Sequence, residues 1–229
     1  MENKNMIRTM FLPKRDASFS LSTAITARSG SGKTTLLTYL VNQARKDEAF
    51  KETRFVYVSI KQETLFDAPV VKDIPNLLKK MVKEPIVSYY PTNPEWYEEE
   101  VDALIESMFE ISDDVEGGIV LMIDDANILK GWDSRGQVSS SVKKLTIAGR
   151  SKGIRGVFMT HRLANLPRLM NGNLSGAILL SMSEMDLDYA KKIFGVDLEN
   201  LLPELIDYRW AYVDLITNRI HRYNPITLS

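Results

Sequence analysis

The chain has 229 residues, 44% of them hydrophobic, with 29 Lys and Arg set against 30 Asp and Glu. That length suits one large core with extensions, and the absence of cysteine excludes disulfides, thiolate metal sites and a cysteine nucleophile. No apolar run reaches roughly 18 residues and the start Met1 to Asn5 is polar, so neither a transmembrane segment nor a signal peptide is expected.

Residues 1–18, interrupted by Pro13, read as an N-terminal arm or edge strand ahead of a single domain over 19–229. Phe19 to Thr26 is short and rich in β-branched residues, as a strand is, while Leu36, Leu37, Leu40, Val41 and Ala44 recur at helical spacing. Between them lie Ala27, Arg28, Ser29, Gly30, Ser31, Gly32, Lys33, Thr34 and Thr35. A strand, a glycine-bearing turn and a helix in that order make a phosphate-binding loop, since glycines let backbone N–H groups approach phosphate oxygens at the positive end of the helix. Lys33 is expected to bridge the β- and γ-phosphates of a bound NTP and the Thr34 hydroxyl to ligate Mg²⁺. Ala27 stands where the pattern usually has its first glycine, but Gly30 and Gly32, nearest the phosphates, are kept.

Arg54 to Ile60 and Pro85 to Tyr90 read as strands flanking a helix near Leu77 to Val82. Asn93-Pro94 supplies a cap and an N1 proline for a helix whose first turn holds Glu95, Glu98, Glu99 and Glu100. Val101, Leu104, Ile105, Met108 and Phe109 form its buried face, with Trp96 and Tyr97 expected to complete the packing. Ile119 to Ile123 then runs into Asp124 and Asp125. Parallel strands carry their chemistry at the carboxyl end, so beside a phosphate loop Asp124 is expected to hold the Mg²⁺ water shell. Asp125 takes the place of the carboxylate that polarises the attacking water, with Asp124 or Glu63 the alternatives.

A glycine-flanked loop, Gly131 to Gly136, is followed by a helix from about Val138 to Gly149 and strands Gly156 to Thr160 and Ala177 to Ser181. Met185 to Phe194 reads as a helix, and Trp210 to Tyr223 as a hairpin turning at Thr217-Asn218, with His221 a structural or surface residue. Strands alternating with helices predict an α/β, three-layer architecture around a mostly parallel sheet. Charge is uneven: Ser134 to Ser183 contains no acid but eight bases, Arg135, Lys143, Lys144, Arg150, Lys152, Arg155, Arg162 and Arg168. The rest of the chain therefore stands at minus nine against a total of minus one. Such a field suits polyanions, whether NTP phosphates or nucleic acid, or else an acidic neighbouring subunit.

Three strings carry a family resemblance: Ala148-Gly149-Arg150-Ser151-Lys152-Gly153-Ile154-Arg155, the strand end Thr160-His161-Arg162-Leu163, and Leu166-Pro167. They resemble the FtsK/HerA superfamily of DNA-pumping ATPases, and the compact size is similar to that of genome-packaging ATPases of membrane-containing icosahedral viruses. The resemblance spans roughly residues 19–223. It implies a RecA-like P-loop NTPase with a C-terminal β-hairpin, using ATP and Mg²⁺ to move double-stranded DNA through a homo-oligomeric ring, a pentamer or hexamer. It further implies capsid-vertex or inner-membrane proteins as docking partners, and work in the host cytoplasm or on the virion. His161 stands where the family usually has a glutamine that senses the γ-phosphate, and Arg150 or Arg155 would be the finger that completes a neighbour's site. Other classes are an assembly ATPase of filamentous phages similar to zonula occludens toxin, which carries a membrane anchor after its ATPase domain, and a nucleotide or small-molecule kinase, which adds an arginine-rich lid. A nucleotide-dependent adaptor that does not hydrolyse is a further one.

Overall fold

The computed structural model describes residues 2–13, 22–126, 138–196, 198, 201 and 204–226. Its centre is a nine-stranded sheet: β1 (Ser22–Thr26), β2 (Arg54–Val58), β3 (Val70–Val71), β4 (Ile86–Tyr89), β5 (Ile119–Ile123), β6 (Ile154–Thr160), β7 (Leu174–Leu179), β8 (Trp210–Asp214) and β9 (Arg219–Tyr223). The spatial order is β3-β4-β2-β5-β6-β1-β7-β8-β9, parallel as far as β7, after which β8 and β9 run on as an antiparallel hairpin. Every residue of β1, β5, β6 and β7 is buried, which explains why β5 reads as a continuous apolar run rather than an alternating one.

Two apolar layers hold the sheet between helices. One face receives α3 (Ile74–Met81), α4 (Tyr97–Ile111), α5 (Ser140–Ala148), α6 (Arg168–Asn171) and α7 (Glu184–Phe194). The other receives α1 (Glu2–Phe11) and α2 (Lys33–Arg45). The predicted three-layer α/β/α, mostly parallel fold with its C-terminal hairpin is therefore the observed one.

The N-terminal segment differs from expectation. Instead of an arm or edge strand, residues 2–11 form α1, whose Met6, Ile7, Met10 and Phe11 enter the core beside Leu36, Leu37 and Leu40 of α2. Full burial of Met10 and Phe11 contributes about 1.5–3 kcal/mol each, enough to favour the helix despite Pro13 just beyond its end. Arg8 clamps α1 to Asp47 at 2.7 Å, and its guanidinium holds that carboxyl down to about 2.

The start of α4 also differs. The helix begins at Tyr97 with Trp96 as a cap that makes no side-chain bond, while Asn93 closes a separate turn by accepting from the Glu95 amide at 3.0 Å. Glu100 reaches back to the amides of Thr92 and Asn93, both at 3.0 Å, anchoring the β4–α4 connection. Trp96 is 54% exposed and does not complete the packing of the helix. β6 and β7 begin two and three residues earlier than the sequence suggests. The loop 131–136, with Trp132 and Arg135, lies outside the described residues.

Three charges of the basic window are paired within the chain. Lys144 pairs with Glu106 at 2.5 Å and Lys152 with Asp113 at 2.6 Å, both across from α4 and the turn after it, and Arg162 pairs with Asp186 of α7 at 2.7 Å. Among the described residues of that window, Lys143, Arg150 and Arg168 have neither such a pair nor full burial.

Candidate active site

Strand order builds the site. β6 lies between β1 and β5, and β2 lies beyond β5, so the carboxyl ends of β2, β5, β6 and β1 follow one another along one edge of the sheet. Each contributes a polar side chain to one line: Lys61 after β2, Asp125 after β5, His161 after β6, and Lys33 at the start of α2, beyond the loop after β1. They bond in that same sequence. Lys61 pairs with Asp125 Oδ2, the Asp125 Oδ1 lies 3.0 Å from His161 Nε2, and His161 Nδ1 lies 3.1 Å from Lys33 Nζ. With Lys33 donating to Nδ1, the hydrogen-bond pattern places the imidazole proton on Nε2, facing Asp125.

The loop Ala27–Thr34 connects β1 to α2 as its spacing requires. Gly30 and Gly32 take φ of 75° and 82°, the left-handed region that a side chain enters only with strain, and Gly32 is the N-cap of α2. Ala27 needs no such freedom, which is why a methyl replaces the usual first glycine; it is fully buried. Lys33 donates to Ala27 O at 2.9 Å and to Arg28 O at 3.4 Å. Burial pushes its ammonium pKa down, and Asp125 and Asp124 oppose that shift. Ser29 to Thr35, Lys61, Glu63, Asp124, Asp125 and His161 line a cavity of about 320 Å³. A larger cavity of about 560 Å³, between α1, α2 and the β8–β9 hairpin, contains none of the ionisable groups of this edge.

The two aspartates differ in setting. Asp124 accepts from the Tyr57 hydroxyl at 3.0 Å and from the Asp125 amide at 2.9 Å. It is 5% exposed; burial first, then the neighbouring Asp125, raises its pKa. Asp125 takes a φ of 47°, a conformation that costs a non-glycine residue on the order of 1–3 kcal/mol and that turns its carboxylate toward Lys61 and His161. The site thus presents a cradle of backbone N–H groups for an anion, a buried ammonium beside it, and a buried carboxylate able to hold a water.

Of the residues the sequence singles out, Ser29 to Thr35, Asp124, Asp125 and His161 converge here, with Ala27 and Arg28 as carbonyl acceptors for Lys33. Arg155 does not. It is the second residue of β6, at the opposite end of the strand from His161, 2% exposed, with its guanidinium bonded to Thr9 O of α1. Burial lowers its pKa to about 10. A side chain enclosed on that face does not reach the surface of its own chain, which leaves Arg150, half-buried at the turn before β6, as the remaining candidate of the two. The sequence reading missed Lys61 and Tyr57. The signal available was position: polar residues at the carboxyl end of a parallel strand.

No family model and no curated protein matches the sequence. Solved structures do match. The genome packaging NTPase B204 from Sulfolobus turreted icosahedral virus 2, in complex with ATP-gammaS, is 17% identical; 92% of this chain superimposes on 100% of that one with a TM-score of 0.75. The DNA-packaging ATPase B204 from Sulfolobus turreted icosahedral virus is 18% identical, covering 94% of this chain and 100% of its own, with a TM-score of 0.74. The cytoplasmic domain of the type VII secretion ATPase EccC from Thermomonospora curvata is 18% identical and matches 93% of this chain with 26% of its own length, at a TM-score of 0.59. The chain therefore shares its fold with these solved NTPase structures.

Proposed function

We propose that this chain is an ATPase that drives double-stranded DNA into a viral capsid as a homo-oligomeric ring. The observation that carries the reading is the line Lys61–Asp125–His161–Lys33 along the sheet edge, abutting a glycine-turned phosphate loop. The γ-phosphate of ATP would replace His161 and the Ala27 carbonyl as acceptor for Lys33. Freed of Lys33, the imidazole can turn its acceptor nitrogen elsewhere, so His161 registers whether a γ-phosphate is present. Asp125 orients a water for in-line attack; the new P–O bond forms as the bond to ADP breaks, releasing ADP and phosphate. The Thr34 hydroxyl and the Asp124 carboxylate are oxygen donors suited to Mg²⁺, which keeps much of its water shell, and a cation beside Asp124 would offset the cost of burying that carboxylate. When bound, Mg²⁺ neutralises charge on the β- and γ-phosphate oxygens. Arg150 would complete the site of a neighbouring subunit.

Support for the DNA substrate is the likeness in fold to two packaging NTPases of turreted viruses. Within the basic window, Lys143 and Arg168 are exposed and unpaired among the described residues, and so are free to meet phosphates. Capsid-vertex or membrane proteins would dock the ring, in the host cytoplasm or on the virion. The test is ATP turnover by the full chain with and without double-stranded DNA, across a salt series. Stimulation by DNA that fades steeply with salt and depends little on sequence is expected. Turnover indifferent to DNA at every salt concentration would refute the translocase reading.

A further inference from the structure

The phosphate loop and its neighbouring strand ends provide for phosphates, but none of them offers a flat surface for a base. One residue does. Tyr208, just before β8, is 64% exposed, and a methyl group built on Gly32 would lie 3.3 Å from its Cδ1 and 3.8 Å from its Cε1. The last glycine of the phosphate loop therefore lies against a tyrosine ring from a segment some 175 residues later in the chain. The ring is held there by an unusual backbone. Asp207 and Tyr208 take φ of 52° and 62° in succession, a left-handed pair that side chains resist, in a turn closed by the Arg209 amide on Ile206 O at 3.0 Å. Nothing in core packing explains the strain, because Ile206, Asp207, Tyr208 and Arg209 are all exposed. Among the described residues, no aromatic ring stacks on Tyr208 and no hydrogen bond engages its hydroxyl.

We propose that Tyr208 is the platform on which the base of the bound nucleotide stacks, making it the residue that favours purine over pyrimidine triphosphates. The inference rests on the nucleotide-binding reading and extends it from phosphates to base. In an NTP the base lies on the solvent side of the α-phosphate, beyond the loop. An exposed ring at the rim of that loop supplies a π-face there at the cost of two dihedral angles of side-chain freedom. The larger a base's ring system, the more of that face it covers, hence the preference for purines.

The test is equilibrium binding of ATP, UTP and inorganic tripolyphosphate to the full chain and to Tyr208→Ala, Tyr208→Trp and Tyr208→Gly. The wild type should bind ATP more tightly than UTP and than tripolyphosphate. Tyr208→Ala should weaken ATP by about 5- to 150-fold, the range that stacking of a base on an aromatic ring spans, while tripolyphosphate stays within about twofold. Tyr208→Trp should keep ATP affinity. Tyr208→Gly, at home at a φ of 62°, should unfold no earlier than the wild type yet lose ATP affinity as the alanine variant does. Equal losses of ATP and tripolyphosphate would show a ring that merely braces Gly32, and an unchanged ATP affinity in Tyr208→Ala would show no role; either overturns the inference while leaving the phosphate site intact. A wild type that binds neither ATP nor tripolyphosphate would overturn the nucleotide reading and this inference with it.

Discussion

Replacing Arg155 by methionine should make the protein more stable and leave its chemistry alone. The guanidinium is enclosed between β6 and α1; Thr9 O is an acceptor for it, its Nε has no partner, and no carboxylate pairs with it among the described residues. Burial lowers its pKa from the ordinary guanidinium range to about 10. A shift of that size corresponds to about 3 kcal/mol of unfavourable charge burial. Because the folded value is the lower one, the penalty is complete at neutral pH and fades only as pH rises past about 10. Methionine is unbranched and adaptable enough to occupy the same apolar channel. Against the relief stands the lost bond to Thr9 O, a charge-assisted one contributing about 1.5–3 kcal/mol. The net gain is then on the order of 1 kcal/mol, or about 2–4 °C in the unfolding midpoint for a chain of this size. Thermal unfolding followed by circular dichroism, with ATP turnover measured on the same samples, is the assay. A midpoint several degrees below the wild type would refute the burial argument. A fall in turnover of about 10³-fold or more in a folded variant would restore Arg155 as the finger.

Lys33→Ala should abolish ATP turnover, and Asp125→Asn should retain nucleotide binding while slowing turnover by about 10²–10⁴-fold; parental rates in Asp125→Asn would shift the water-orienting role to Glu63 or Asp124. If Arg150 acts across an interface, Arg150→Ala and Asp125→Asn chains, each inactive alone, should regain some of the wild-type turnover when mixed, and a mixture that stays inactive would count against a trans finger. The Arg8–Asp47 clamp predicts acid sensitivity of α1: because Arg8 depresses the Asp47 pKa to about 2, its contribution is present above the ordinary carboxylate range and is lost as pH falls from about 4 toward 2. Acid titrations of the wild type and Asp47→Asn should diverge above that window and converge below it; curves that keep a constant separation would contradict the clamp.

The phosphate loop and the Asp124–Asp125 pair were legible because local patterns specify them: two glycines in left-handed positions, a helix starting at Lys33, and an apolar strand ending in acid. Lys61 was not, since its place at a strand end says only that it could face a site, and its partner depends on β2 lying next to β5, a neighbour relation that crosses more than sixty residues. Arg155 misled for a related reason. With β6 expected to begin at Gly156, the arginine fell in a connecting turn where a cation is ordinarily solvated, whereas two more residues of pairing with β5 draw it into the core. The same holds for charge: Lys144 and Lys152 look like free surface until α4 is seen to supply Glu106 and the following turn Asp113. In α1 the apolar residues Met6, Ile7, Met10 and Phe11 already stand at helical spacing, but the segment is short and Pro13 suggested an extended arm.

Both margins of the sheet are blunt. β3 pairs through only two residues, and β9 presents exposed Arg219 and Arg222 along the far side. Neither margin offers another copy a long apolar ladder of unpaired backbone groups to extend. In the proposed ring, copies of this chain would then meet through helices and loops, by contacts that slide or separate side chain by side chain, with no shared ladder to unzip. A ring joined that way can loosen a single seam while every subunit keeps its own sheet, and its catalytic edge, whole.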